Sequence, residues 1–513
     1  MPYEKTSRRH QEITDAITYH IAKDMLPVYS VTKEGFKKMV CTLDKRYIIP
    51  SRNHFSDKAI PKLYNETKMR IDGELRDVDY FATTTDLWSS RTTEPYMSLT
   101  AHFITKNFEL KTRCLQTSFF PVEHTGDNIA LEMKTALADW GLQEEQQVCV
   151  TTDNASNMIK ALQVNEWTRL QCFGHRLHLA IENAVKSEKQ ISRTTAICKK
   201  LVCHFSHSWK KRVALEEAQK HFELPNHGLI TECQTRWGSR LAMIGRILEQ
   251  KKALAEVLSE DTKTRHLVLG YQELDVLESV SSALGPLLEF TDALSGEEYV
   301  SVSHLKPVLR LFNTTLLAPK EDDTDMTKSL KKKILEYLNS KYEDDVTQEL
   351  LDVASFLDPR YKTQYISEDN VPIIKSRLVK EMKTLELKRS GGIRVEEPEV
   401  PLPPTKKKKT LASFLKSPTA SATASVDPTA TIEAELNSYL LAKPLDEDPL
   451  LWWKKYQENY PRLIDMARKY LCVPATSSPS ERVFSAGGNI VSCERSCLAP
   501  DMVNKLVFLA KNL

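Results

Sequence analysis

The sequence predicts an α/β fold: a mixed β-sheet with helices on its faces, followed by a long all-helical stretch. Two changes of texture along the chain carry this reading. From Asp79, the segments YFATTTDLW, YMSLTAHFIT and LKTRCLQTSFF are rich in β-branched and aromatic residues and are separated by short polar breaks. That is the pattern of three strands in an antiparallel meander. From about residue 188 to 388 the apolar residues recur at helical spacing instead, with few strand signals.

The elements follow in order. Residues 11–48 predict helices, with Ile13, Ile17, Ile21 and Ala22 on one face and Thr32 as an N-cap before Phe36 and Val40. A further helix is expected over residues 57–75. After the meander, GDNIALEMKTALADWGL places Ile129, Met133, Ala136 and Leu137 on one helical face. QQVCVTTDN predicts a buried strand ending at Asp153 and followed by a short helix. LQCFGH predicts one more strand, running into the helix HRLHLAIENAV. The order β-β-β-α-β-α-β-α implies a mixed sheet covered by helices. Residues 389–430, rich in Pro, Ser, Thr and Lys, predict a disordered linker. Helices return after it, one capped by Asp448 with Pro449 at its first position, one at Tyr460-Pro461, and the last opened by Pro500.

Composition narrows the function classes. A net charge of only +2 over 513 residues means that a nucleic-acid partner would have to be met by local patches. No run approaches the roughly 20 apolar residues that a membrane span requires, so no membrane partner is expected. The ten cysteines have no framework spacing, which predicts reduced thiols in an intracellular protein.

Two aspartates, Asp86 closing TTTD and Asp153 closing VTTD, stand where strands are expected to end. Carboxylates converging at a sheet end make an oxygen site for Mg²⁺; the plain alternative is that each Asp caps the turn after its strand. Glu481 in SPSERVFSAGGN is either a solvated residue favouring a helix N-terminus or a third member of that site.

TDLWSS, TDNASNM, CFGHRLHL, TRWGS and the tail PATSSPSERVFSAGGNIVSCERSCLAPDMVNKLVFLAKN resemble the successive signature blocks of hAT-type transposases and of the animal hAT-derived zinc finger BED domain-containing proteins. The resemblance implies a ribonuclease-H-like core interrupted by a large helical insertion. It divides the chain into an N-terminal helical region for DNA and subunit contacts (1–78), the first part of the core (79–187), the insertion (188–388), the linker (389–430) and a C-terminal dimerisation region (431–513). By motif, Asp86, Asp153 and Glu481 become a triad holding Mg²⁺ or Mn²⁺. His175 and Arg236 become DNA contacts, and Trp237 stacks on a base; for Trp237 the plain alternative is core packing. Zinc at Cys172 and His175 is not expected.

On the C-terminal helix, Val503, Leu506, Val507 and Ala510 form a stripe. It is expected to dock on the chain's own core and to serve a homodimer or higher oligomer. No BED finger can be assembled within residues 1–80, which hold only Cys41, His10, His20 and His54. Lys406 to Lys409 offer a nuclear import signal or a solvated charge run. The functions in view are a nuclear DNA-binding, dimerising protein in transcriptional or chromatin regulation, an active Mg²⁺-dependent DNA transposase or nuclease, and a dimerising scaffold without a DNA role.

Overall fold

A computed structural model describes residues 1–90, 93–233, 236–390, 428–444, 446–490 and 498–513. The central part of the predicted linker and the Lys406–Lys409 run lie outside the described residues.

The meander forms as its β-branched content requires. Strands β1 (Phe81–Ser89), β2 (Pro95–Ile104) and β3 (Leu110–Phe119) pair antiparallel in succession. The chain then crosses through the helix Gly126–Asp139 to β4 (Gln147–Thr152), and through the helix Ser156–Val164 to β5 (Arg169–Gln171). Both lie parallel to β1, giving the order β3-β2-β1-β4-β5. A helical crossover is what a parallel connection needs. The two crossover helices seal one face of the sheet with Met97, Ile129, Met133, Val150, Met158 and Leu162.

The last helix, Pro500–Asn512, lies on β3. The Asn504 side-chain oxygen accepts from Thr117 N at 2.9 Å, and Asn512 Nδ2 donates to the Cys114 carbonyl at 2.7 Å. Its apolar stripe merges with the N-terminal helices Arg8–Lys23 and Ile60–Arg76 in one cluster that includes Ile21, Phe55, Ile71 and Phe508. In the N-terminal region the expected cap at Thr32 is replaced. Residues Val28–Thr32 form a 3₁₀ turn, and Lys33 precedes the helix Glu34–Leu43.

After the helix Phe173–Ser187 the chain enters the helical stretch, whose later elements receive the segment that follows the linker. Lys362 Nζ donates to the Tyr439 carbonyl at 2.7 Å, Trp453 Nε1 to Leu357 O at 3.0 Å and Tyr439 Oη to Phe356 O at 2.8 Å. The helix expected at Tyr460-Pro461 begins later, at Leu463. The distant Glu435 carboxylate accepts the N–H groups of Arg462 and Leu463 at 2.9 and 2.8 Å, satisfying donors that no local side chain caps.

Candidate functional site: carboxylates between two strands and a late helix

Alternation along β1 puts Thr84, Asp86 and Trp88 on one face of the strand. The helix Ser478–Ile490 lies along that face and is fixed at two points. Near its start, Ser480 Oγ, fully buried, donates to Thr84 Oγ1 at 2.8 Å. Toward its end, Gly487 sits so close to Trp88 that a Cβ there would fall 2.5 Å from the indole ring. Phe484 meets the same ring edge-on at 5.3 Å between centroids, and Trp88 is stacked on Tyr96 at 4.8 Å. Fastening at Thr84 and Trp88 brings Glu481 toward the residue between them, Asp86.

Asp153 arrives from the other side. The parallel register pairs Thr84 with Thr151; continued by two residues, it sets Asp153 level with Asp86. The Asp153 turn is held by Arg169, whose guanidinium donates to Thr152 Oγ1 at 3.1 Å and to Asn154 Oδ1 at 2.6 Å. Asp153 Oδ1 also accepts the Ala155 N–H at 3.2 Å, so the ordinary turn-capping role is filled by the same carboxylate. Asp86 departs from expectation in one respect. It lies inside β1, paired with Ser98 of β2, because the hairpin to β2 continues to Ser89. It stands at an edge only on the β4 side, where β4 stops at Thr152.

The electrostatics report the convergence. Burial first, then the charges of Asp153 and Glu481, push the Asp86 carboxyl up to about 7. Asp86 and Asp153 are half-buried and Glu481 is exposed. Two aspartates and a glutamate carry the donor chemistry of a Mg²⁺ or Mn²⁺ site, and a cation there would relieve the repulsion at Asp86. As the side chains stand, however, no three His, Cys, Asp or Glu groups among the described residues close into a metal-binding set. Side-chain rotation would have to bring the three together.

A pH prediction follows from Asp86. Below its unfolded value near 3.8 the carboxyl is protonated in both states, and its ionisation costs the fold nothing. Through the window up to about 7 the unfolded chain sheds this proton more readily than the folded one, so stability falls as pH rises. Asp86→Asn should therefore raise the thermal midpoint of the metal-free protein at pH 8 by about 2–4 °C, with the gain fading below pH 4. A gain of equal size at both pH values would contradict this account.

The late segment is woven into the sheet edge before it reaches Glu481. Thr151 Oγ1 donates to Pro474 O at 2.8 Å, and Phe173 N to Ala475 O at 3.0 Å. Cys172 Sγ accepts the N–H of Ser477 at 3.3 Å and that of His175 at 3.5 Å. The buried thiol thus joins the Phe173–Ser187 helix to the Glu481 turn. His175, half-buried on the first turn of that helix, is the predicted DNA residue that the fold places beside this turn.

Trp237 differs from its expected role. It is 5% exposed and belongs to the main hydrophobic cluster, so no face of it is presented to a base. Arg236, just before it, is exposed. The working polar group of this block is Arg240, buried between Glu182 and Glu232, which the sequence reading did not single out. The C-terminal stripe is also spoken for. Val503, Leu506 and Val507 are buried inside this chain, and only Ala510 of the four is partly open. Those three side chains reach a partner only if the helix leaves β3.

Among the described residues no helix is long and apolar enough to cross a membrane. Three family models match, each over part of the chain and in chain order: the ZBED1 RNase-like domain at residues 84–173, the ZBED1 RNase-like helical domain at 170–283 and the hAT family C-terminal dimerisation region at 435–513. The class is therefore a ribonuclease-H-like α/β core with a helical insertion and a hAT C-terminal region. Within that class, the chain is a homologue of hAT transposases and of zinc finger BED domain-containing proteins. It is 28% identical to zinc finger BED domain-containing protein 4 of Homo sapiens, over 98% of this chain and 44% of that protein. It is 24% identical to zinc finger BED domain-containing protein 6 of Mus musculus over 98% and 55%. It is 25% identical to the putative AC transposase of Zea mays over 97% and 65%. The chain thus spans about half the length of the curated relatives it matches. A likeness to the Drosophila P element transposase strand transfer complex, at TM-score 0.27 and 10% identity over 73% of this chain and 87% of that one, is too slight to carry an argument.

Proposed function

We propose that this chain is a hAT-transposase-derived nuclear protein that binds DNA and self-associates, working in transcriptional or chromatin regulation. The observation that carries the reading is the ordered match of the RNase-like core, its helical domain and the hAT dimerisation region to one chain. With a net charge of +2, affinity for DNA rests on a local patch. Binding to a labelled duplex, followed by fluorescence anisotropy, should weaken steeply as salt is raised from 50 to 200 mM, since each neutralised phosphate releases counter-ions. Sedimentation equilibrium should show a dimer or larger. Absence of binding at 50 mM salt sinks the DNA reading and leaves a dimerising scaffold.

A second reading, an active Mg²⁺-dependent transposase or nuclease, is favoured by the approach of Asp153 and Glu481 to Asp86. Mg²⁺ or Mn²⁺ held by these three carboxylates would activate a water or a 3′-hydroxyl and stabilise the leaving oxygen of a phosphodiester. In this reading the protein's part is positional: β1 and the turn after β4 would hold two carboxylates level, and the Ser478–Ile490 helix would bring the third. Cleavage or strand transfer of labelled DNA with Mn²⁺, lost in Asp153→Asn and in Glu481→Gln, is the expected result. Activity that survives both substitutions excludes the triad.

A further inference from the structure

A buried polar chain crosses the sheet behind Glu481. Thr112 on β3 meets His102 Nδ1 at 3.1 Å, His102 Nε2 on β2 meets Thr84 Oγ1 on β1 at 3.1 Å, and Thr84 Oγ1 accepts from Ser480 Oγ at 2.8 Å. His102, Thr84 and Ser480 are all buried, at 3%, 0% and 0% exposure. Burial pushes the imidazole down to about 3, so it is neutral at any ordinary pH, with one nitrogen donating and the other accepting. Either tautomer satisfies every contact. With Nδ1 protonated, Ser480 donates to Thr84, Thr84 to Nε2 and Nδ1 to Thr112. With Nε2 protonated, Thr84 accepts from both Ser480 and His102, and Thr112 donates to Nδ1. A polar array this deep costs stability unless every member is satisfied. Among the described residues its hydrogen bonds leave the sheet at Ser480, the residue immediately before Glu481.

We infer that His102, acting through Thr84 and Ser480, is a positioning residue that sets Glu481 toward Asp86 for divalent-cation binding. The inference rests on the carboxylate reading of the site. The chain fixes the first turn of the Ser478–Ile490 helix by a directional bond rather than by apolar contact alone. That is how groups behind a metal ligand commonly control its orientation, with losses of about 10–100-fold in metal affinity when they are removed.

The test is Mn²⁺ binding to the full chain by titration calorimetry, well below the unfolding temperature. Thr84→Val keeps the side chain's shape and deletes the hydroxyl; Ser480→Ala deletes its donor. Each should weaken Mn²⁺ binding by about tenfold. His102→Leu should do the same, and His102→Gln, which retains an acceptor for Thr84, should recover part of the loss. Thr100→Val, at a buried hydroxyl on β2 without a hydrogen-bond partner among the described residues, should leave the affinity unchanged. In a Glu481→Gln background, Thr84→Val should have no further effect, because its influence passes through Glu481. A merely structural role would lower the melting temperature without this dependence on Glu481. If Thr84→Val and Ser480→Ala bind Mn²⁺ like the intact protein while Glu481→Gln weakens it, the inference is overturned and the carboxylate reading stands. If the intact protein takes up no Mn²⁺, both fall.

Discussion

Arg240→Ala is expected to destabilise the protein by about 3–5 kcal/mol, the largest effect of any single substitution considered. Arg240 is 7% exposed and lies between two carboxylates. Its Nη1 is 2.7 Å from Glu182 Oε1, and its Nη2 is 2.8 Å from Glu232 Oε1. Burial alone would lower the guanidinium's pKa, yet the hydrogen bonds and charges of Glu182 and Glu232 raise it. Removing Arg240 leaves the buried carboxyl groups of Glu182, on the core helix Phe173–Ser187, and Glu232 without the guanidinium they share. Among the described residues, Lys199, 2.9 Å from Glu232, and the more distant Lys186 remain to offset them. Arg240→Lys should recover little, because one ammonium does not span two carboxylates as the planar fork does. Replacing all three members with apolar residues of similar volume should cost far less than Arg240→Ala, since no charge is then stranded. Urea unfolding followed by tryptophan fluorescence measures each. A loss below about 1 kcal/mol for Arg240→Ala would mean that water reaches the cluster and screens it.

Gly487→Ala should lift the helix that carries Glu481. The added methyl would lie 2.5 Å from the Trp88 ring, and that ring cannot swing clear. It is 6% exposed, stacked on Tyr96 on one side and touched by Phe484 on another. Overpacking of this kind costs about 1–3 kcal/mol, and here the displaced element bears a site residue. Any Mn²⁺ affinity should therefore fall together with the melting temperature. Gly488 supplies the control. A Cβ at the next position meets nothing within 4 Å, so Gly488→Ala should be neutral or stabilising by up to about 1 kcal/mol through helix propensity. Equal behaviour of the two alanine variants would show that Trp88 does not set the helix position.

Most of the sheet was legible because strands and helices announce themselves locally. The β-branched runs became β1, β2 and β3, VTTD ended β4, and Asp448-Pro449 capped and opened its helix as expected. The site was legible in part. Alternation alone places Thr84, Asp86 and Trp88 on one face, and the signature blocks pointed to Glu481. His102 and Ser480 carried no signal, since a histidine in a strand and a serine in a helix turn look alike whether or not they are joined through a threonine. Trp237 and the C-terminal stripe mark the same limit from the other side. Periodicity showed that Val503, Leu506 and Val507 share a face, and the fold covers that face with β3 and the N-terminal helices.

By itself the sequence determined the elements, their order, and the presence of one aspartate in a strand, one just past the end of another, and a late glutamate. Tertiary structure alone decided that Trp237 is core and that the late helix carrying Glu481 is fastened at Thr84 and Trp88. The bond at Thr84 joins residues 396 positions apart. Local propensity depends on neighbours a few residues away, whereas the partner across such a distance is chosen by packing of the whole chain.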